Sequence, residues 1–132
     1  MPLKISLKPN ERIILSGAVI TNGPARAQLV VENEVPLLRA REIMSLEKAN
    51  SPARRIYFAI QLMYVDEKNL EAHRTSYTTL VRDFLQASPS SRELIAEITA
   101  LVERGQHYQA LKGARRLIDY EQELIKNVTA RP

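Results

Sequence analysis

The spacing of apolar residues changes near residue 40, from a period of two to a helical period. Leu3, Ile5 and Leu7 alternate with Lys4, Ser6 and Lys8, the pattern of a half-buried strand. Pro9-Asn10 reads as a turn. Residues 12–15 and 17–21 are rich in β-branched and apolar side chains and are broken at Ser16-Gly17. Asn22-Gly23-Pro24 reads as a second turn, in which Gly23 takes a positive φ and Pro24 fixes the exit. Ala27, Leu29 and Val31 share one face of a further strand, with Arg26 and Gln28 on the other. Glu32-Asn33-Glu34 then turns the chain into a last strand over 35–39. The pattern predicts an antiparallel meander of four or five short strands.

Beyond it the apolar positions recur at helical spacing. Ser51-Pro52 is an N-cap followed by proline at the first helical position, which predicts a helix over 52–65. That helix is apolar nearly all round, so Ile56, Phe58, Ile60, Met63 and Tyr64 are candidates for an oligomer or partner interface. Asp66 is placed to cap a second helix with Leu70, His73, Tyr77, Leu80, Val81 and Phe84 on one stripe. Ser88-Pro89 repeats the cap-and-proline device for a third, which Gly105 ends. A fourth runs over about 106–127, and residues 128–132 are expected to fray. A short helix near 41–49 completes the pattern. The fold class is α+β: a small antiparallel N-terminal sheet, about 3–41, followed by about four helices, about 52–127, in one domain of 132 residues. So few strands need a second layer, supplied either by the helices or by another copy of the chain.

Composition narrows the chemistry. There is no cysteine, which excludes disulfides, thiol redox chemistry and thiolate metal sites. No apolar run reaches the ~18 residues of a membrane span, and Met1-Pro2-Leu3-Lys4 lacks the apolar run of a signal peptide. A cytoplasmic protein with no membrane contact is the expectation. His73 and His107 belong to no metal-binding spacing, and His73 reads as a hydrogen-bonded core histidine. Gly17, Gly23, Gly105 and Gly113 are isolated, so there is no phosphate-cradling loop. Serine and threonine lack a nucleophile-elbow context, and Asp119, Glu121 and Glu123 read as an exposed acidic face. Neither catalysis, nor a metal, nor a cofactor is expected.

The formal net charge is +4, and all of the excess falls in the first 65 residues. Arg39 and Arg41, two apart at the end of a strand, would project from one face, as would Lys4 and Lys8 on the first strand. With Arg26 they are the candidate polyanion contacts. Lys112, Arg115 and Arg116 form a helical stripe that reads as solvated charge paired to nearby acids such as Asp119. The β region has no aromatic residue before Tyr57. A sheet that binds RNA must therefore hold bases with arginine planes, aliphatic side chains and backbone groups. If the helices bind it instead, the tyrosines become the stacking candidates, although Tyr57, Tyr64 and Tyr77 read as core or interface packing.

The segments LKISLKPNERIILSGAVITNGP, VPLLRAREIM, SPARRIYFAIQLMYV and YQALKGARRLIDYEQELI together resemble the FlbT family of alphaproteobacterial flagellar regulators, over about residues 2–127. The resemblance implies a post-transcriptional repressor that associates with the 5′ untranslated region of flagellin mRNA and promotes its degradation. It also implies functional coupling to the flagellar protein FlaF. The strand order of the β region alone, through PNERIIL and AQLVVENEVPLLRAREI, resembles the carbon storage regulator CsrA, an intertwined β dimer that binds mRNA leaders. That resemblance implies an RNA groove from the first strand, around 5–8, and the last strand, around 37–41. It departs from this chain at Leu7, where an arginine is expected, and in the glycine loop, of which only Gly23 remains. The terminal arginine is also displaced by one position, leaving Arg39 or Arg41 in its place.

Two functions follow. The first is a non-catalytic RNA-binding regulator acting as a homo-oligomer, with Arg39 and Arg41 on phosphates or guanine edges and Lys4, Lys8 and Arg26 in support. The second is a protein-interaction adaptor or chaperone-like factor for a flagellar component, which affects flagellin mRNA only indirectly.

Overall fold

A computed structural model describes the backbone of residues 2–130 and the side chains of 2–127. Five strands, β1 (Leu3–Leu7), β2 (Arg12–Leu15), β3 (Ala18–Thr21), β4 (Ala27–Val31) and β5 (Leu37–Leu38), precede four helices, α1 (Pro52–Val65), α2 (Leu70–Ala87), α3 (Arg92–Glu103) and α4 (His107–Ala130). The α+β class is as expected from the patterning. The chain divides into two compact units, Met1–Ile43 and Met44–Pro132.

Within the first unit every strand pair is antiparallel, but the order is not a meander. β1 pairs with β4, placing Ile5 opposite Leu29, while β2 lies between β3 and β5. Only β2 and β3 form a hairpin. Its two-residue turn has Ser16 at φ 50° and Gly17 at φ 85°, the pair of positive φ values that matches the right-handed twist of the flanking strands. Gly23 does not take a positive φ; Asn10 does, at 62°. The turn at 22–25 is held by a side chain instead: Asn22 Nδ2 donates to the carbonyls of Lys8, at 2.8 Å, and Ala25, at 3.0 Å. Ile5, Leu7 and Ile13 are buried as one cluster, and Ile20, Leu29, Val31 and Leu37 pack against it.

In the second unit α1 begins as its sequence dictates. Ser51 Oγ accepts the Arg54 N–H at 3.2 Å, and Pro52 opens the first turn. α1 packs against both α2 and α4, which accounts for its all-round apolar surface. Ile56, Ile60 and Met63 are at most 1 % exposed, so these three are core of the chain itself and not accessible as an interface; Phe58 and Tyr64 are half-buried. Gln61, also buried, exchanges hydrogen bonds with the Met44 backbone at 2.7 and 3.0 Å and so pins the entering segment to α1. In place of the short helix expected near 41–49 there are two 3-10 turns, Ala40–Glu42 and Leu46–Lys48.

Asp66 caps no helix with its side chain; its carboxylate binds His73 Nε2 at 2.8 Å and Asn69 at 3.0 Å. Those two bonds, Asn69 foremost, hold its carboxyl below the ordinary 3.8. A 3-10 turn, Pro89–Ser91, intervenes before α3, and Ser88 bonds Ser91 instead of capping it. α3 ends in a Schellman motif: Gly105 has φ 76°, Gln106 N–H reaches the Leu101 carbonyl at 2.9 Å and Gly105 N–H that of Val102 at 3.1 Å. α4 continues to Ala130, beyond the expected end at 127; Arg131 and Pro132, expected to fray, lie outside the described residues.

Gly113 lets α4 approach α3. A Cβ there would lie 2.8 Å from Cγ1 of the buried Ile98 side chain on α3. Gly113→Val is therefore expected to destabilise by about 1–3 kcal/mol through overpacking, read as a lower urea midpoint. An unchanged midpoint would show that α3 and α4 can separate without cost.

Candidate functional site

The turn after β1 and the chain leaving β5 come together within the first unit. Lys8, Glu11, Arg39, Ala40 and Arg41 line an open depression of about 360 Å³. Three of the five cationic residues singled out by sequence, Lys8, Arg39 and Arg41, thus share one basin. Lys4 and Arg26 are exposed but do not line it.

Arg39 and Arg41 do not project from one strand face. β5 stops at Leu38, and Arg39 starts the 3-10 turn Ala40–Glu42 that carries Arg41. The turn is closed by the Glu42 carboxylate, which accepts the Arg39 N–H at 2.8 Å, and by Glu42 N–H, which donates to the Arg39 carbonyl at 2.9 Å. The Arg39 guanidinium meets Glu11: Nη2 lies 2.9 Å and Nε 3.2 Å from Glu11 Oε2. Nη2 also donates to the Ser6 carbonyl at 2.9 Å. The other Glu11 oxygen accepts the Lys8 N–H at 2.9 Å. Glu11 is the member of the site that sequence reading missed. Its signal was present only as Lys8-Pro9-Asn10-Glu11, a turn whose fourth residue can close back on the first.

The Lys8 amide, and after it the Arg39 guanidinium, hold the Glu11 carboxyl below its ordinary 4.5. A lowered folded-state value means that the unfolded chain binds the proton more readily. The stabilisation is complete above pH 4.5 and is lost as pH falls through the folded value. Glu11→Gln should accordingly flatten the dependence of stability on pH below 4.5, measured by urea unfolding between pH 5 and pH 3. A variant profile that tracks the wild type would remove Glu11 from the acid limb.

The helical cations also depart from the expected pairing. Arg115 lies over the Tyr57 ring at 5.1 Å and Lys112 over Tyr108 at 5.2 Å, while Arg116 meets Glu97 at 3.6 Å across exposed surface. Tyr57 and Tyr77 are buried, and Tyr77 Oη bonds Thr99 at 2.8 Å, so neither ring is a stacking platform. Glu121 is buried, not part of an exposed acidic face; it takes the Ser51 hydroxyl on one oxygen and the Ala53 N–H, at 2.9 Å, on the other. Burial, and secondarily Arg74, pushes the His107 imidazole below 6.5, and its Nε2 is enclosed with no partner among the described residues. No group of three or more His, Asp or Glu among the described residues is arranged to hold a metal ion. No helix there is long and apolar enough to cross a membrane.

The unit boundary redistributes the charge. Residues 1–43 carry six basic and four acidic groups, and the other half of the excess belongs to 44–132. The basin's importance lies in local grouping, then, and not in the net charge of the β unit.

The family described as flagellar protein FlbT matches residues 3–125. The chain belongs to the FlbT family. It is 48% identical over 125 residues to the probable flagellum biosynthesis repressor protein FlbT 1 of Bradyrhizobium diazoefficiens, covering 94% of this chain and 85% of that one. It is 40% identical over 131 residues to the probable flagellum biosynthesis repressor protein FlbT of Caulobacter sp., covering 98% and 100%. To the flagellum biosynthesis repressor protein FlbT of Caulobacter vibrioides it is 37% identical over 132 residues, covering 98% and 94%. No solved structure matches. These FlbT relatives carry the names of flagellum biosynthesis repressors, which places the chain with regulators of flagellar synthesis.

Proposed function

We propose that the chain is a non-catalytic post-transcriptional regulator that associates with the 5′ untranslated region of flagellin mRNA in the cytoplasm and promotes the message's degradation. The observation that carries this reading is the grouping of Lys8, Arg39 and Arg41 around one open depression, on a unit that has no aromatic residue. Such a surface suits phosphate-dominated binding, with site choice left to backbone groups and arginine edges. Loss of the message follows from its exposure to cellular nucleases or from blocked ribosomes. The family resemblance adds coupling to FlaF. Self-association is favoured by the few buried apolar residues of the β unit, Ile5, Leu7, Ile13, Ile14 and Leu38, and by exposed Leu3, Val19 and Val30 on its strands.

An adaptor reading has one observation in its favour. Leu80, Phe84, Leu124 and Ile125 line a largely apolar groove of about 360 Å³ on the helical unit, with Arg55 and Asp83 beside them. Binding of the purified chain to the flagellin leader at physiological salt separates the two readings. Direct binding to the leader supports the RNA regulator. Binding to flagellin or another flagellar component, with no affinity for the leader, supports the adaptor.

A further inference from the structure

We infer that Arg39 positions the basin and does not itself contact phosphate, leaving those contacts to Lys8 and Arg41; this rests on the RNA-binding reading above. The Arg39 guanidinium is already engaged on two sides, by the Ser6 carbonyl in β1 and by Glu11 Oε2. Glu11 in turn holds the Lys8 amide. One carboxylate and one guanidinium thereby join the first strand, the turn that carries Lys8 and the start of the turn that carries Arg41.

The bonds from Nε and Nη2 leave only the Nη1 edge of Arg39 to a phosphate, which there meets a guanidinium whose charge Glu11 already offsets. It would also face the negative charge of the Glu11 carboxylate beside it. Lys8 and Arg41 are placed differently. Both side chains are exposed, and neither makes an ion pair or a hydrogen bond with another described residue. With Glu11 set against three cations, the residues that line the basin carry a net charge of +2 per chain.

Removing the acid from an RNA-facing surface ordinarily tightens binding, but here it loosens the two contacting residues. Binding of a labelled flagellin leader is measured across a salt series for the wild type, Arg41→Ala, Arg39→Gln and Glu11→Gln, with urea unfolding of each. Removing one phosphate-binding cation should reduce the slope of log K against log salt by about 0.7 for single-stranded RNA. Arg41→Ala is expected to show that reduction and keep its stability. Arg39→Gln is expected to bind more weakly at every salt concentration with the slope unchanged, and to unfold at lower urea. Glu11→Gln is expected to bind no more tightly than the wild type.

The inference is overturned by a slope reduction in Arg39→Gln equal to that of Arg41→Ala, or by tighter binding of Glu11→Gln. Should Arg39→Gln fail to fold, the Glu11→Gln affinity decides. Should the wild type bind no leader at all, the RNA reading is what fails, and the unfolding midpoints alone decide the stapling role. Equal midpoints for Arg39→Gln and Arg41→Ala would then overturn it.

Discussion

Glu121→Ala is expected to lower the unfolding free energy by about 2–4 kcal/mol, the largest stability loss among the polar positions of the chain. Hydrogen bonds to a charged group contribute about 1.5–3 kcal/mol, and a buried donor left without a partner carries a further desolvation cost. Glu121 accepts two such bonds, from the Ser51 hydroxyl and the Ala53 N–H. Ala53 is wholly buried, so water does not readily replace the missing carboxylate. The carboxylate also sits at the N-terminus of α1, where the helix dipole favours negative charge. Its removal should therefore loosen the packing of α1 on α4 as well as the first turn of α1. Urea unfolding at neutral pH measures it, with Glu123→Ala as an exposed control expected to change stability by about 0.5 kcal/mol or less. A Glu121→Ala loss no larger than the control's would mean that the cap is dispensable.

The largest functional effect is expected from Lys8→Ala combined with Arg41→Ala. Taking two phosphate-binding cations away from single-stranded RNA corresponds to about a tenfold or greater loss of affinity near physiological salt. Both side chains are exposed and unpaired among the described residues, so the fold should be retained, with stability within about 0.5 kcal/mol of the wild type. Lys4→Ala with Arg26→Ala removes the same charge from outside the basin and should cost less affinity. A gel-shift titration of the flagellin leader compares the pairs. Equal losses from both would mean that the surface acts through diffuse charge; no loss from Lys8→Ala with Arg41→Ala would remove the basin from RNA binding.

How far the sequence was legible depended on whether the deciding interaction was local. Ser51-Pro52 set the start of α1 to the residue, because a cap and a first-turn proline act within four positions. Gly105 ended α3 for the same reason. The alternation in β1 identified its inward face, with Ile5 and Leu7 buried and Lys4 and Lys8 exposed. Strand order was not legible, since the pairing of β1 with β4 joins residues twenty or more apart and leaves no mark in local periodicity. The apolar surface of α1 was read as a face seeking a partner, although α2 and α4 cover it within the same chain. Counting apolar faces cannot say which neighbour supplies the cover.

The candidate site divides along the same line. Lys8, Arg39 and Arg41 were recognisable as a basic group, whereas the bond from Arg39 to Glu11 joins residues twenty-eight apart. That bond sets the Arg39 charge against a carboxylate that local sequence does not place beside it. Glu121 was misread for a similar reason: its position beside Asp119 and Glu123 suggested an exposed acidic run, while its partners, Ser51 and Ala53, lie about seventy residues upstream. In each case a charge was visible in the sequence and its partner was not.

The central claim is that the β-unit basin binds the flagellin leader through its phosphates. It is tested most directly by the dissociation constant of the purified full chain for that leader between 50 and 200 mM salt, with a flagellin coding segment of equal length as competitor. Expected is a linear fall of log K with log salt, with a slope of at least about −1.4 from the two phosphates bound by each chain, and displacement that the coding segment achieves only at higher concentration. No binding at physiological salt, or binding indifferent to salt, would contradict it.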